Sequence, residues 1–207
     1  MLLTHTPLRD LLTAFSSGDP TPGGGSASAL ASAVGASLLM MVSGLPKTRA
    51  GADQDRAALA NAVAALAGIR AKLTDAIDVD AAAYDQVVAA YQRPKATADE
   101  QAVRKAAVQQ ALHAATDVPL RVMRLSSAAL EQAAIVAAHG YRSASSDTGV
   151  AIALLLSGTT GARLNVDVNL LSVSDTGYAA GVREESVRLM QAANAAAARA
   201  EALLREA

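Results

Sequence analysis

The sequence has no cysteine and no tryptophan, and only one phenylalanine and four tyrosines in 207 residues. Without cysteine there can be no disulfide and no thiolate metal site. Aromatic residues at 2% leave little to stack on nucleobases. A net charge of −1 lacks the basic footprint by which nucleic acids or anionic membranes are held. His5, His113 and His139 are scattered, with no two at ligand spacing, so no metal site is expected. The longest wholly apolar run covers residues 150–156, far short of a bilayer span. The first residues show no basic-then-apolar signal pattern. These absences lead to the expectation of a soluble, cytoplasmic protein with neither a nucleic-acid nor a membrane partner.

What is abundant is alanine, which supplies much of the 52% hydrophobic content. Alanine is the best helix former but buries little area per residue. Many thin helices packed closely satisfy both facts, and a face buried against a second copy would add stability. The expected fold is all-α, a bundle of about six to eight helices including one long helix, assembled as a homodimer. No internal repeat or linker-like segment interrupts the chain, so one domain over residues 1–207 is expected.

The stretch Thr21-Pro22-Gly23-Gly24-Gly25-Ser26 stands out. Three glycines free the backbone for positive φ and close approach, and small residues follow for a further turn or more. This reads as a tight turn opening a slim helix to about Val42. The free N–H groups of its first turn favour an anionic ligand. The plain alternative is a turn before a narrow, close-packed helix. The loop lacks the Gly-Lys-Ser/Thr ending of an ATP-binding loop.

Before it, Thr6-Pro7 is a start signal for a short amphipathic helix carrying Leu8, Leu11, Leu12 and Phe15, with Thr6 as cap. A long helical pattern begins near Asp53, with Leu59, Val63, Leu66, Ile69, Leu73, Ile77 and Tyr84 at three- and four-residue spacing. Asp80 lies on that apolar stripe. A carboxylate there must be paired, hydrogen-bonded or functional. Pro94 ends the helix. Thr97 and Glu100 form a capping box for the next one. Pro119 kinks or ends that helix near Asp117, and His139-Gly140 closes the stretch that follows. A polar loop, residues 141–147, leads to an apolar helix, where Ser145, Ser146 or Asp147 can cap. For Asp147 the residues alone favour that cap. Residues 164–170 alternate as a strand would, but the helices around them favour helix, which puts Asn165 and Asn169 one turn apart. Asp175 or Thr176 starts the last helix.

Together these islands resemble the cyclodeaminase/cyclohydrolase family. The residues that carry the likeness are Pro22-Gly23-Gly24-Gly25-Ser26, then Asp80-Ala81-Ala82-Ala83-Tyr84, then Pro94-Lys95-Ala96-Thr97. Val118-Pro119-Leu120, Ser146-Asp147 with Gly149-Val150-Ala151, and Asn165-Val166 with Asn169 complete them. The resemblance covers nearly the whole chain. It implies an all-helical homodimer that binds a tetrahydrofolate one-carbon derivative, with no metal and no cofactor beyond the folate substrate. It implies catalytic roles for Asp80, Asp147 and Lys95, and substrate contacts from Pro22, Gly23, Gly24, Gly25, Ser26, Tyr84, Arg142, Asn165 and Asn169. Two departures stand against it. Arg93 replaces an apolar residue, and Tyr141-Arg142-Ser143 stands where the family tends to have an asparagine-containing loop.

The implied reaction is hydrolysis of 5,10-methenyltetrahydrofolate to 10-formyltetrahydrofolate. Water adds to an electron-poor amidinium carbon, one group takes its proton, and an acid protonates the departing nitrogen. Two aspartates in unlike surroundings can divide those tasks, with Lys95 holding a carboxylate or the acidic tail of the folate. Cyclodeamination of formiminotetrahydrofolate, releasing ammonia, needs nearly the same groups. A non-catalytic folate-binding or scaffold dimer is the third reading.

Overall fold

The computed structural model describes residues 2–206; of the expected 1–207 domain, Met1 and Ala207 lie outside them. Six α-helices follow one another: α1 (Leu8–Phe15), α2 (Gly24–Gly44), α3 (Asp53–Tyr91), α4 (Ala98–His139), α5 (Ser145–Asn169) and α6 (Thr176–Glu206). Short 3₁₀ turns at Leu3–His5 and Arg142–Ala144 are the other regular elements, so among the described residues regular structure is entirely helical. Residues 164–168 sit inside α5, and the alternation that suggested a strand is one face of a helix seen in projection.

α2 is the inner member of the bundle, in contact with α3, α4 and α5. Ala29, Ala36, Leu39 and Val42 are fully buried along it. Each fully buried leucine or valine of this kind contributes about 1.5–3 kcal/mol. Small residues set the spacing. A Cβ on Gly158 of α5 would fall 1.9 Å from Ser32 Oγ of α2, and one on Gly161 would fall 2.4 Å from Ser28 Oγ. Gly35 meets Ala151 and Leu155 in the same way, so α2 and α5 run antiparallel at close range. The serines in this dry seam are all bonded: Ser28 Oγ donates to Gly24 O (2.6 Å), and Ser126 Oγ of α4 to Ser32 Oγ (2.7 Å).

Two long helices are present where one was expected. α3 has 39 residues and α4 has 42, because Pro119 lies inside α4 without ending it. α4 opens on the expected capping box: Glu100 N–H donates to Thr97 Oγ1 (3.1 Å) and Thr97 N–H to Glu100 Oε2 (3.0 Å). Gly140 closes it, where a Cβ would lie 2.5 Å from Val136 O. Two expected caps differ. Pro7 rather than Thr6 precedes α1, and the Thr6 hydroxyl turns back to Leu2 O. Ala144 holds the cap position of α5 with no side-chain bond, because the 3₁₀ turn before it already directs the chain; Asp147 stands in the first turn. Asp175 caps α6 by accepting from Tyr178 N–H at 2.9 Å.

α2 and the segment Arg142–Asn169 reach the length and apolarity of a membrane-crossing helix by composition. More than half of the apolar window of α2 is buried inside the bundle, which is the demand its composition meets here.

Candidate active site

The glycine bend is compact for reasons of room. Its Thr21–Pro22 bond is cis, and Pro22 is buried. No glycine in it adopts positive φ: Gly23 precedes α2 in extended geometry (φ −116°, ψ −163°), and Gly24 and Gly25 are already helical. The conformational freedom expected of the triplet is therefore unused. What glycine supplies is the missing Cβ. An added Cβ on Gly25 would stand 2.0 Å from Asp80 Oδ1 and 2.5 Å from its Cγ. One on Gly24 would meet Asn165 Nδ2 at 3.4 Å, an ordinary contact. The bend thus lies between Asp80 of α3 and Asn165 of α5.

Asp80 is on the inward stripe of α3 but only half-buried, at the edge where α2 begins. Ser26 Oγ lies 3.1 Å from Asp80 Oδ2 and 2.8 Å from Ile77 O. Its single hydroxyl proton serves one of these at a time. The Ser26 N–H also favours the charged carboxylate. Burial raises the Asp80 pKa above the usual aspartate value, and the Ser26 hydroxyl and N–H lower it; burial prevails. A carboxyl so placed keeps its proton to higher pH than a surface aspartate, as a general acid must.

Past Asp80, α3 outruns α2. Tyr84 and Tyr91 follow at four and eleven residues, on the face that carries Asp80, and both are exposed. This lane runs about 16 Å from Asp80 to the end of the helix. There Tyr91, Lys95, Arg104 and Lys105 line a groove of about 400 Å³, with the Arg104 guanidinium 5.4 Å from the Tyr91 ring centre. Lys95 therefore stands by the end of α3, about three turns beyond Asp80 and not against it. Arg93 faces a different groove, of about 350 Å³, with Gln86 and Gln110. Neither groove includes Asp80. Tyr91, Arg104 and Lys105 were not singled out in the sequence, although counting helical turns onward from Asp80 reaches Tyr91.

Asn165 and Asn169 extend along α5 beside the bend, and both are half-buried. Asn165 Nδ2 donates to Gly161 O, one turn back, at 2.8 Å. Asn169 Nδ2 donates to Ala115 O of α4 at 2.9 Å. That carbonyl is the one Pro119 leaves without its helical donor, since proline has no N–H to give four residues back. Asn169 thus fills the gap that lets α4 continue past its proline.

Asp147 and Arg142 lie elsewhere. They stand at the start of α5, and residues 147 to 165 of one helix span about 27 Å. Within one chain the structure gathers Pro22, Gly23, Gly24, Gly25, Ser26, Asp80, Tyr84 and Asn165 around one centre. It leaves Lys95 at one remove and places Asp147 and Arg142 at the opposite end of α2 and α5.

A half-buried acid clasped by a helix-opening glycine bend, inside a bundle of slender helices, defines a class: all-helical proteins with an acid centre at the N-terminus of an inner helix. Comparison with known proteins gives the family. The family model described as formiminotransferase-cyclodeaminase matches residues 7–188, and the chain belongs to that family. It is 38% identical over 172 residues to a methenyltetrahydrofolate cyclohydrolase of Methylorubrum extorquens, covering 83% of each chain. It is 33% identical over 196 residues to the formimidoyltransferase-cyclodeaminase of Sus scrofa, covering 95% of this chain but only 36% of that one. The crystal structure of formiminotetrahydrofolate cyclodeaminase from Thermotoga maritima has the same fold, with a TM-score of 0.85 at 24% identity over 98% of this chain and 97% of that one.

Proposed function

We propose that this chain is a folate one-carbon enzyme that hydrolyses 5,10-methenyltetrahydrofolate to 10-formyltetrahydrofolate by general acid/base catalysis. The observation that carries the proposal is Asp80, its pKa raised by burial while Ser26 holds its carboxyl in the space that Gly25 leaves by lacking a Cβ. The likeness to the Methylorubrum cyclohydrolase over five-sixths of both chains supports the substrate class. Asp80 is the acid that protonates the departing ring nitrogen. Asp147 is the base that takes a proton from the attacking water. Tyr84 and Tyr91 floor the extended folate, and Lys95 with Arg104 and Lys105 receives its acidic tail. Asn165 and the N–H groups at Gly24 and Gly25 face the pterin oxygens and nitrogens. Arg142 accompanies Asp147. General acid–base groups of this kind contribute roughly 100- to 10,000-fold each.

The reaction requires no cofactor beyond the folate itself. The protein works as a single domain over residues 1–207, as a soluble cytoplasmic homodimer, without nucleic-acid or membrane partners. A continuous core that joins α2 through α6 supports the single domain. A second reading, cyclodeamination of formiminotetrahydrofolate, is favoured by the fold match to the Thermotoga enzyme and by the likeness to the Sus scrofa protein. The experiment pairs two assays on one preparation: loss of methenyltetrahydrofolate absorbance, and ammonia release from formiminotetrahydrofolate. Decay of the first without ammonia from the second is the expected result. Ammonia release makes the chain a cyclodeaminase, and saturable folate binding with neither reaction makes it a binding protein.

A further inference from the structure

α1 is set apart from the bundle. Among the described residues it has no extended contact with another helix, and Leu11 alone of its residues is buried. Its eight residues fall short of the about 12–15 that an isolated helix needs to persist in water. Leu8, Leu11, Leu12 and Phe15 share one side of it, yet Leu8 is 66% exposed and Leu12 58%. That apolar side lacks a cover. The two tethers of α1 lie on one turn of α3. Before α1, the Asp78 carboxylate accepts from Leu3 N–H, Thr4 N–H and Thr4 Oγ1, the last at 2.6 Å. After α1, Pro22 is buried and the glycine bend seats on Asp80. By the shorter arc, Asp78 and Asp80 are about 160° apart round α3. Ala81 lies in that arc and is half-buried, whereas Val79 and Ala82 lie in the longer arc and are exposed. Residues 5–21 therefore cross the shorter arc, and Tyr84 stands in it one turn further on. Leu8 is four residues from Thr4 and so stays within about 14 Å of the first tether. Toward the second tether, residues 16–20 are exposed and Gly18 has open space round it, which leaves α1 room to swing.

We propose that residues 5–21 form a strap that closes on bound substrate, with Leu8 and Leu12 packing on the ring system held between Asp80 and Tyr84. The proposal rests on the folate reading for the identity of that ring system. The flat faces of a pterin or aminobenzoyl ring supply the cover that the two leucines lack, and both tethers already flank the acid over which the strap closes. Asp78 is a positioning residue. It touches no reacting atom and holds the first end of the strap at the level of Asp80. A lipid surface suits α1 poorly, because its one cation, Arg9, is followed by Asp10 and no basic flank accompanies it. Closure covers the exposed part of both leucines only when ligand is present, so it adds affinity for the substrate.

The test joins amide hydrogen exchange to steady-state kinetics. In wild type, exchange across α1 is expected to slow by about tenfold or more when 5-formyltetrahydrofolate, a stable folate with the same rings, is added to saturation. A Leu8→Ser, Leu12→Ser double variant should raise KM for methenyltetrahydrofolate by about tenfold or more with kcat little changed, as loss of uniform binding does. Its unfolding midpoint should match wild type, because both side chains are exposed in the free chain. Asp10→Ser, on the opposite side of α1, should leave KM as it was. Asp78→Ala frees the first tether and should raise KM, and Asp78→Asn, which keeps an acceptor oxygen, should recover part of that loss. A double variant with wild-type KM overturns the proposal. So does exchange in α1 that saturating ligand leaves unchanged, or protection of α1 in ligand-free protein that grows with protein concentration, which would make a second copy the cover. Failure of 5-formyltetrahydrofolate to bind at all fails the folate reading, whereas saturable binding without protection of α1 fails the strap alone, so the two failures are distinguishable.

Discussion

Replacing Asn169 by alanine removes the donor that satisfies Ala115 O beneath Pro119. The 2.9 Å bond joins α4 and α5 across a half-buried contact, and the freed carbonyl has no helical N–H to turn to. Leaving a half-buried acceptor unpaired costs about 1 kcal/mol, the low end of the range for a buried one. For a chain of this size each kcal/mol moves the unfolding midpoint by about 2–4 °C. Asn169→Ala is therefore expected to lose roughly 2–4 °C. Pro119→Ala supplies the missing N–H and restores the helical bond to Ala115 O, at the expense of some apolar contact, since Pro119 is buried. In that background Asn169 has lost its task. The double variant should therefore be more stable than the sum of the two single losses predicts, by about 1 kcal/mol. Urea unfolding of the four proteins measures the coupling. Additivity within about 0.5 kcal/mol would refute the reasoning and leave Asn169 free to be read as a substrate contact.

Three further outcomes follow from the same geometry. Gly25→Ala drives a Cβ into the Asp80 carboxyl, so turnover should fall by about 100-fold or more, whereas Gly24→Ala meets Asn165 at an ordinary distance and should keep most activity; steady-state rates of the two variants decide it. Ser26→Ala removes a hydroxyl that lowers the Asp80 pKa, so that pKa rises further. If Asp80 is the acid, the alkaline fall of the kcat–pH profile moves to higher pH, and a downward shift would exclude that role. Gly158→Ala places a Cβ 1.9 Å from Ser32 Oγ and 2.7 Å from Ser28 O, both in the dry seam between α2 and α5. Overpacking there should cost about 3 kcal/mol in chemical denaturation without altering the pH profile of the folded fraction.

Much of the helical layout was legible because its signals are local. The Thr97–Glu100 box, Gly140 after α4, Asp175 before α6 and the stripe from Leu59 to Tyr84 each act within one or two turns. Asp80 was legible for the same reason: an acid on an apolar stripe must be accounted for. The continuation of α4 through Pro119 was not, because the group that rescues it, Asn169, is fifty residues away in sequence and only the fold brings it near. The glycine bend was read for backbone freedom when its use is space for a carboxyl on another helix, which is again a tertiary fact. The resemblance grouped Lys95 and Asp147 with Asp80. A list of motifs has no lengths in it, and helices of 39 and 25 residues carry those side chains far from Asp80 within one chain.

The central claim is that Asp80 is an acid held at a cost to the fold. Its folded pKa is raised, so its proton is bound more tightly in the folded chain than in the unfolded one. The stability this confers is full below the unfolded pKa of about 3.9 and is lost as pH rises through the folded pKa. Asp80→Asn removes the titrating carboxyl but keeps the shape. Methenyltetrahydrofolate decay and thermal unfolding, measured at pH 7 on the same samples of wild type and Asp80→Asn, should show turnover lower by about 100-fold or more and a midpoint equal to or above that of wild type. Wild-type turnover by Asp80→Asn would contradict the account.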